Sequence, residues 1–372
     1  MKKIILSFGI IMLMIFLGAC NKGKQGNGNE TTPMVTPDIT QPAEGDSQNG
    51  EVASQEGIAT IADYYPMLAD TEYVYEGEGN EYASYSQITD FLNAADNRIQ
   101  TRTNNGGTET VRVIEIKKGK LEVIKTVNEC YYRDNLMLST VSEDPAEILL
   151  MEPLVQGTQW TLPDGRKRYI SAVDVEVTTP SGSYKAIEVT TENGDNQSKD
   201  YYAPQVGLVK SVFQAEDMEV ISSLKAVNSN QPYKKTIDIY YPDVDEKLYI
   251  EPLELTFHTG DETKDILQKA ISREAEKDTY LPLTSVNTKI NSLSLSEDGI
   301  VQVDFSKEFI QDMNVGAGYE MLILQGITNT LGAYYQAEEV VLTVDGKPYE
   351  SGHILMKEGE TLRVDMDNVA SK

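Results

Sequence analysis

Hydrophobic and polar residues alternate with a period of two through much of the middle of this chain, the signature of half-buried strands. Thr110 to Ile116 alternates, Lys117-Lys118-Gly119-Lys120 reads as a turn, and Leu121 to Val127 returns, which predicts a hairpin. Val173 to Val177, the turn Pro180-Ser181-Gly182, and Tyr184 to Val189 repeat the arrangement, and two short strands flank Pro204. Between residues 95 and 145 there is no helical period of useful length. Residues 61–227 are therefore expected to form a mainly antiparallel β domain.

After a polar break at Asn228 to Pro232 the pattern changes, and strands alternate with amphipathic helices. Thr236 to Tyr241 and Tyr249 to Phe257 are strands; Asp261 and Glu262 open a helix whose apolar stripe is Ile266, Leu267, Ala270 and Ile271. Lys289 to Ser294 and Gly299 to Phe305 flank the turn Glu297-Asp298-Gly299 and should pair. Ser306 is placed to cap a short helix through Met313. Tyr319, Leu322, Ile323, Gly326, Ile327, Thr330, Leu331 and Tyr334 fall at spacings of three and four, so one side of a helix from about 317 to 334 is expected to be buried, with Gly326 allowing close approach. Glu339 to Val344 is a strand turning at Asp345 to Pro348. Two helices on one face of a small mixed sheet make an α+β domain over residues 232–366.

The first twenty residues follow neither period. Lys2 and Lys3 precede an apolar run from Ile4 to Leu17, which ends in Gly18 and Ala19 directly before Cys20. Fourteen apolar residues are short for a membrane span and suit a secretory signal, residues 1–19. Residues 20–60 combine Cys20 with a stretch rich in Asn, Gly, Thr, Pro and Ser that buries too little to offset its chain entropy, and read as a flexible tether with a reach of about 35 Å.

Composition narrows the function classes. Fifty-nine acidic against 32 basic residues give a formal charge of −27, which excludes a nucleic-acid binder working by phosphate neutralisation. The charge deepens by two once Lys2 and Lys3 leave, and it opposes adhesion to anionic lipid. Two cysteines make no disulfide framework, and His258 and His353 lack a paired ligand motif, so each is expected to be a surface or loop histidine. Cys130 reads as a small half-buried hydrophobe within a strand, not a nucleophile. The acidic runs Asp243-Val244-Asp245-Glu246 and Asp261-Glu262 fit no EF-hand loop and are expected to be solvated. No nucleophile elbow, zinc-peptidase helix or phosphate loop occurs, so no catalytic residue, metal or cofactor is expected.

Three resemblances add to this reading. Leu17-Gly18-Ala19-Cys20 resembles the bacterial lipobox, which implies cleavage before Cys20 and attachment of acyl chains, palmitate among them, to that cysteine. Gly157-Thr158-Gln159-Trp160 together with Tyr201-Tyr202-Ala203-Pro204-Gln205-Val206-Gly207-Leu208-Val209 resembles curved half-barrel sheets of lipoprotein-carrier type. On that resemblance Trp160, Tyr201 and Tyr202 are either ligand contacts on a concave face or core, and core is the favoured reading. Ile237 to Asp243, Val301 to Phe309, Gln325 to Leu331 and Val340 to Pro348 resemble the GerMN domain of sporulation and spore-germination lipoproteins, with a departure at the charged segment Arg273 to Tyr280. The family is similar to ring-building modules of spore-envelope complexes, which implies assembly and no established chemistry.

The expected protein is a non-enzymatic lipoprotein on the extracytoplasmic face of the cell membrane, held in the bilayer by acylated Cys20. It would bind an envelope protein or itself. The alternative is a carrier of lipid, peptide or glycan on the concave face of its β-rich domain.

Overall fold

The period-two segments do form strands, and they form more of them than the clearest alternation marks. In the computed structural model, which describes residues 59–138 and 146–370, a short helix α1 (Ile61–Tyr64) precedes a run of hairpins. The first six strands are β1 (Thr71–Glu78), β2 (Tyr85–Asn93), β3 (Arg98–Asn104), β4 (Glu109–Lys117), β5 (Lys120–Asn128) and β6 (Glu147–Met151). The next six are β7 (Gln159–Thr161), β8 (Lys167–Thr179), β9 (Gly182–Asn193), β10 (Asn196–Ala203), β11 (Gly207–Ala215) and β12 (Met218–Ser229). The signal segment, Cys20 and all but the last two residues of the expected tether lie outside the described residues.

Each group of six is a meander, and β12 pairs antiparallel with β1, so one twelve-stranded sheet runs from β6 at one end to β7 at the other. Turn chemistry sets much of this register. Between β4 and β5, Lys118 and Gly119 both take positive φ (51° and 71°), which matches the twist of the flanking strands. The sheet curls until its two ends meet, and side chains join them. Trp160 Nε1 on β7 donates to the Ile148 carbonyl of β6 at 3.0 Å, Arg168 Nη1 on β8 donates to the same oxygen at 2.8 Å, and Arg168 Nη2 pairs with Glu147 at 2.9 Å.

Residues 230–232 lead into the second lobe, which together with the sheet forms one compact unit. It contains β13 (Tyr233–Pro242), β14 (Leu248–Phe257), α2 (Thr263–Ile271), β15 (Ile290–Leu295), β16 (Val301–Phe305), α3 (Glu308–Gln311), α4 (Ala317–Tyr335), β17 (Glu339–Val344), β18 (Lys347–Pro348) and β19 (Thr361–Arg363). The fold is α+β as expected, with two differences of arrangement. β13 and β14 form a separate antiparallel ribbon and are not part of the mixed sheet, in which β16 and β17 pair in parallel while β15, β18 and β19 pair antiparallel. α4 packs against both, so it is buried around most of its circumference and not on one side alone. Its core partners are Ile239 of the ribbon, Leu267 of α2 and Val301 and Val340 of the sheet, all fully buried in one cluster with Ile327 and Leu331.

The close approach at Gly326 is real: a Cβ there would lie 2.4 Å from the Tyr240 carbonyl oxygen of β13. Ser306 does not cap α3. Its hydroxyl accepts the Lys289 N–H at 3.1 Å and so fastens the entry of β15 instead.

Two substitutions test this packing. Gly326→Ala should cost about 1–3 kcal/mol, because backbone must shift to admit the methyl group. Trp160→Phe should cost about 1 kcal/mol through loss of the seam hydrogen bond. Urea unfolding midpoints of the two variants, at unchanged slope, measure both.

Candidate functional site

The concave face of the curled sheet is where a carrier would hold its ligand, and the chain's own segment 61–68 occupies it. Ile61 is fully buried within the cluster that contains Trp160, Leu150, Ile170 and Tyr202, and Tyr64, Tyr65 and Met67 pack against that cluster. Glu152 Oε1 accepts the Ile61 N–H at 3.0 Å, the Asp63 carbonyl accepts from Gln205 N–H at 2.6 Å, and the Leu68 carbonyl accepts from Thr89 Oγ1 at 2.8 Å. The space left between Tyr65, Leu68, Tyr75 and Leu208 is about 30 Å³.

Trp160, Tyr201 and Tyr202 are not brought together as a binding face. Trp160 and Tyr202 are buried in the same cluster. Tyr201 packs beside a second cluster formed by Tyr75, Val177 and Val209, and its hydroxyl donates to Glu188 at 2.8 Å. The signal that could have separated them is the strand itself, since neighbouring residues on a strand point to opposite faces.

Chemistry-bearing residues converge where the two lobes meet. Asp90, fully buried on β2, lies 3.1 Å from Arg102 Nη2 of β3 and 3.5 Å from Arg133 Nε, and Gln100 Nε2 donates to it at 3.3 Å. Arg102 also pairs with Glu109 at 2.8 Å and donates to the carbonyls of Cys130 and Tyr132, so two guanidinium groups face two carboxylates. Arg133 reaches across to the second lobe, donating to the His258 carbonyl at 3.0 Å and to the Asp261 carbonyl, with its guanidinium 4.1 Å from the Phe91 ring centre and 5.0 Å from that of Phe257. The Arg133 carbonyl accepts from Thr263 Oγ1, and its N–H donates to Tyr334 Oη at 3.1 Å. Next to it, Asp134 accepts from Tyr335 Oη at 2.9 Å, and burial pushes its carboxyl up to about 6.

The remaining candidates are also tied into structure. His258 Nδ1 lies 3.1 Å from Asp70, whose other oxygen accepts the Thr259 N–H at 2.6 Å. Burial opposes charge on Asp70, but the Thr259 and His258 contacts outweigh it and hold its carboxyl below the usual range. Cys130 lies just past the end of β5, not within a strand; it is buried, and burial pushes its thiol up, away from nucleophilic use.

His353 has a partner that sequence reasoning missed. Its Nδ1 is 2.7 Å from Glu320 Oε2 in the first turn of α4. Ser351 Oγ and Tyr349 Oη both donate to Glu320 Oε1, at 2.5 and 2.8 Å. Burial raises and these three contacts lower the Glu320 pKa, and the contacts win. The serine faces the acid and not the histidine, so the order needed for a nucleophile–base–acid relay is not met. Thirty-three residues separate Glu320 from His353, and only the folding of 349–353 back over α4 brings them together.

Of the acidic runs, Asp243 is buried, not solvated, and pairs with Lys277 Nζ at 2.6 Å, which holds its carboxyl below the ordinary range. Lys277 also lies 4.7 Å from the Tyr280 ring centre and 5.0 Å from that of Tyr249. Arg273 lies 3.8 Å from Glu251 of β14, so the charged segment 273–280, where the resemblance departs, is a strap fixed by ion pairs to β14 and to the turn after β13. Among the described residues, no three His, Cys, Asp or Glu side chains converge as metal ligands. No helix among them is long and apolar enough to cross a membrane.

The geometry describes a curled antiparallel sheet joined to an α+β domain by hydrogen bonds from a buried, ion-paired arginine. Residues 238–350 match the Germane family model, described as sporulation and spore germination, so the chain carries a domain of that kind. The tandem GerMN domains of the sporulation protein GerM from Bacillus subtilis are 20% identical over 32% of this chain and 41% of that one, with a TM-score of 0.24. The match thus spans less than half of that structure. A candidate lipoprotein from Clostridium perfringens is 20% identical over 36% of this chain and 87% of its own, with a TM-score of 0.23. A candidate exported protein with YmcC-like fold from Bacteroides fragilis is 11% identical over 45% and 99%, with a TM-score of 0.28. No curated protein matches the chain.

Two measurements test the junction. Asp90→Ala should lower stability by about 3–5 kcal/mol, since it leaves a buried arginine without its carboxylate; calorimetry reads the loss. Because the Asp134 pKa is raised by folding, its protonated form favours the fold below about pH 4, and that contribution is lost as pH rises to about 6. Asp134→Asn should remove this slope from a series of urea midpoints taken between pH 4 and 7.

Proposed function

We propose that this protein is a lipoprotein of the cell envelope, anchored through acylated Cys20 on the extracytoplasmic face, whose Germane domain makes protein contacts during sporulation or germination. The match of residues 238–350 to the Germane family carries the reading. The Leu17-Gly18-Ala19-Cys20 sequence supports the anchor. With an acidic surface facing largely anionic envelope polymers, a covalent lipid supplies the retention that charge opposes; two or three acyl chains hold stably, at about 0.8 kcal/mol per buried methylene.

The role is one of binding and assembly, not catalysis. His258, His353, Cys130 and Asp243 are each committed to contacts that hold the fold, which supports this reading. A lipid, peptide or glycan carrier is less well supported, because segment 61–68 would have to leave the concave face before a ligand could enter.

Cys20→Ala should move the protein from the membrane to the soluble fraction and abolish palmitate labelling, read by fractionation and labelling of intact cells. Crosslinking in sporulating cells should join residues 232–366 to a second envelope protein or to another copy. A stable, membrane-bound chain that crosslinks to neither would overturn the assembly role.

A further inference from the structure

Segment 61–68 fills the apolar end of the concave face, where Ile99, Ile114, Leu121 and Val123 are buried with Ile61. Farther along β2 to β5 the same face turns polar. Inward positions recur every second residue on each strand, and the register sets them in two rows across the sheet. Gln87, Thr103, Thr110 and Asn128 form one row, and Thr101, Arg112 and Thr126 the other. Directly opposed side chains in such rows stand about 5 Å apart at Cβ. Thr101 is buried, Gln87, Thr103 and Thr110 are half-buried, and Arg112, Thr126 and Asn128 are exposed, so solvent reaches this end of the face.

Arg112 is the group here that the fold does not use. Every other arginine of the chain makes an ion pair. Arg112 makes neither an ion pair nor a side-chain hydrogen bond among the described residues, although acidic residues outnumber basic ones by 59 to 32. Its charge reaches across the open space. Burial raises the pKa of Tyr65, of Tyr85 and of Asp200 on β10, and the Arg112 charge works against that rise in each. The facing wall is polar as well: Ser211 Oγ donates to Asp200 at 2.6 Å, and Arg168 Nε donates to Thr191 Oγ1 at 2.7 Å.

We propose that this end of the concave face is a binding site for an acidic saccharide, a sugar ring bearing one carboxylate, with Arg112 holding the carboxylate and Gln87, Thr103, Thr110 and Asn128 serving the ring hydroxyls. A guanidinium presents paired donors that match a carboxylate. Amides and hydroxyls both donate and accept, as sugar hydroxyls do. Neither row contains an apolar side chain, which disfavours an acyl chain, whose gain comes from apolar burial. One unpaired cation in a chain of formal charge −27 suits a single carboxylate and disfavours a polyanion. The site stands apart from the assembly role and requires no movement of segment 61–68.

The test uses the full chain reconstituted in lipid nanodiscs, with empty nanodiscs as the blank and saturation-transfer NMR as the readout. D-Glucuronate should bind saturably, and about tenfold more tightly than D-glucose, the gain of one charge-assisted hydrogen bond. Acetate, which has the carboxylate without the hydroxyls, should bind more weakly than glucuronate. Arg112→Gln should reduce glucuronate to the affinity of glucose while leaving the melting temperature unchanged, because the guanidinium it removes has no partner. Thr126→Trp, at the exposed position opposite Arg112, should block both sugars. Tighter binding of a hyaluronan tetrasaccharide than of glucuronate assigns the site to a glycan chain, and equal or weaker binding assigns it to a free sugar acid. Three results overturn the proposal: a signal no greater than that of empty nanodiscs, glucuronate that binds no more tightly than glucose or acetate, and an Arg112→Gln variant that keeps the preference for glucuronate.

Discussion

The constraint on which the rest of this molecule depends is the burial of two arginines where its lobes meet. A guanidinium removed from water is tolerable only if carboxylates and carbonyls surround it in fixed positions. Asp90 and Glu109 supply the charge, and the carbonyls of Cys130, Tyr132, His258 and Asp261 supply the remaining acceptors. Those acceptors come from the sheet, from the loop after β5, and from the turn between β14 and α2, so few other placements of the second lobe would satisfy them. Apolar packing alone would leave more freedom to slide, because it is non-directional.

The same junction is tied to the beginning of the fold. Asp70, two residues past the segment filling the sheet, bonds Thr259 and His258 of the turn that Arg133 grips. The curled sheet is best understood as a filled support, with its apolar interior supplied by its own chain, and its seam closed by Trp160 and Arg168 in place of a backbone ladder. A backbone ladder there would need a twelfth pairing in register; side chains close the gap without it.

Much of this was legible in the residues. The hairpin at 117–120, the strands around Pro204, the long helix with its close-packed Gly326 and the strand after it follow from period and turn chemistry, which act over a few residues. The motifs from Ile237 to Pro348 pointed to the domain that the family match then located. Less visible were β1, β2 and β12, where tyrosines, serines and threonines blur the alternation, and the separate ribbon, since pairing partners are not written in a strand's own sequence. The aromatic residues Trp160, Tyr201 and Tyr202 read as core in preference to a binding face; Trp160 and Tyr202 are buried in one cluster, while Tyr201 is half-buried beside another.

What the sequence by itself determined is therefore the local grammar: which stretches are strand, helix and turn, and the lipobox-like ending at Cys20. What only the tertiary structure decided is who meets whom. Arg133 bonds Asp261 across 128 residues, Glu320 collects Tyr349, Ser351 and His353, and Arg112, among the described residues, is left without a partner at the open end of the concave face. Periodicity reports the face on which a residue lies, because backbone geometry repeats every two or 3.6 residues. It carries no record of the distant group that will face it, because that is set by the packing of whole elements, and the chemistry of each buried charge follows from the partner it finds.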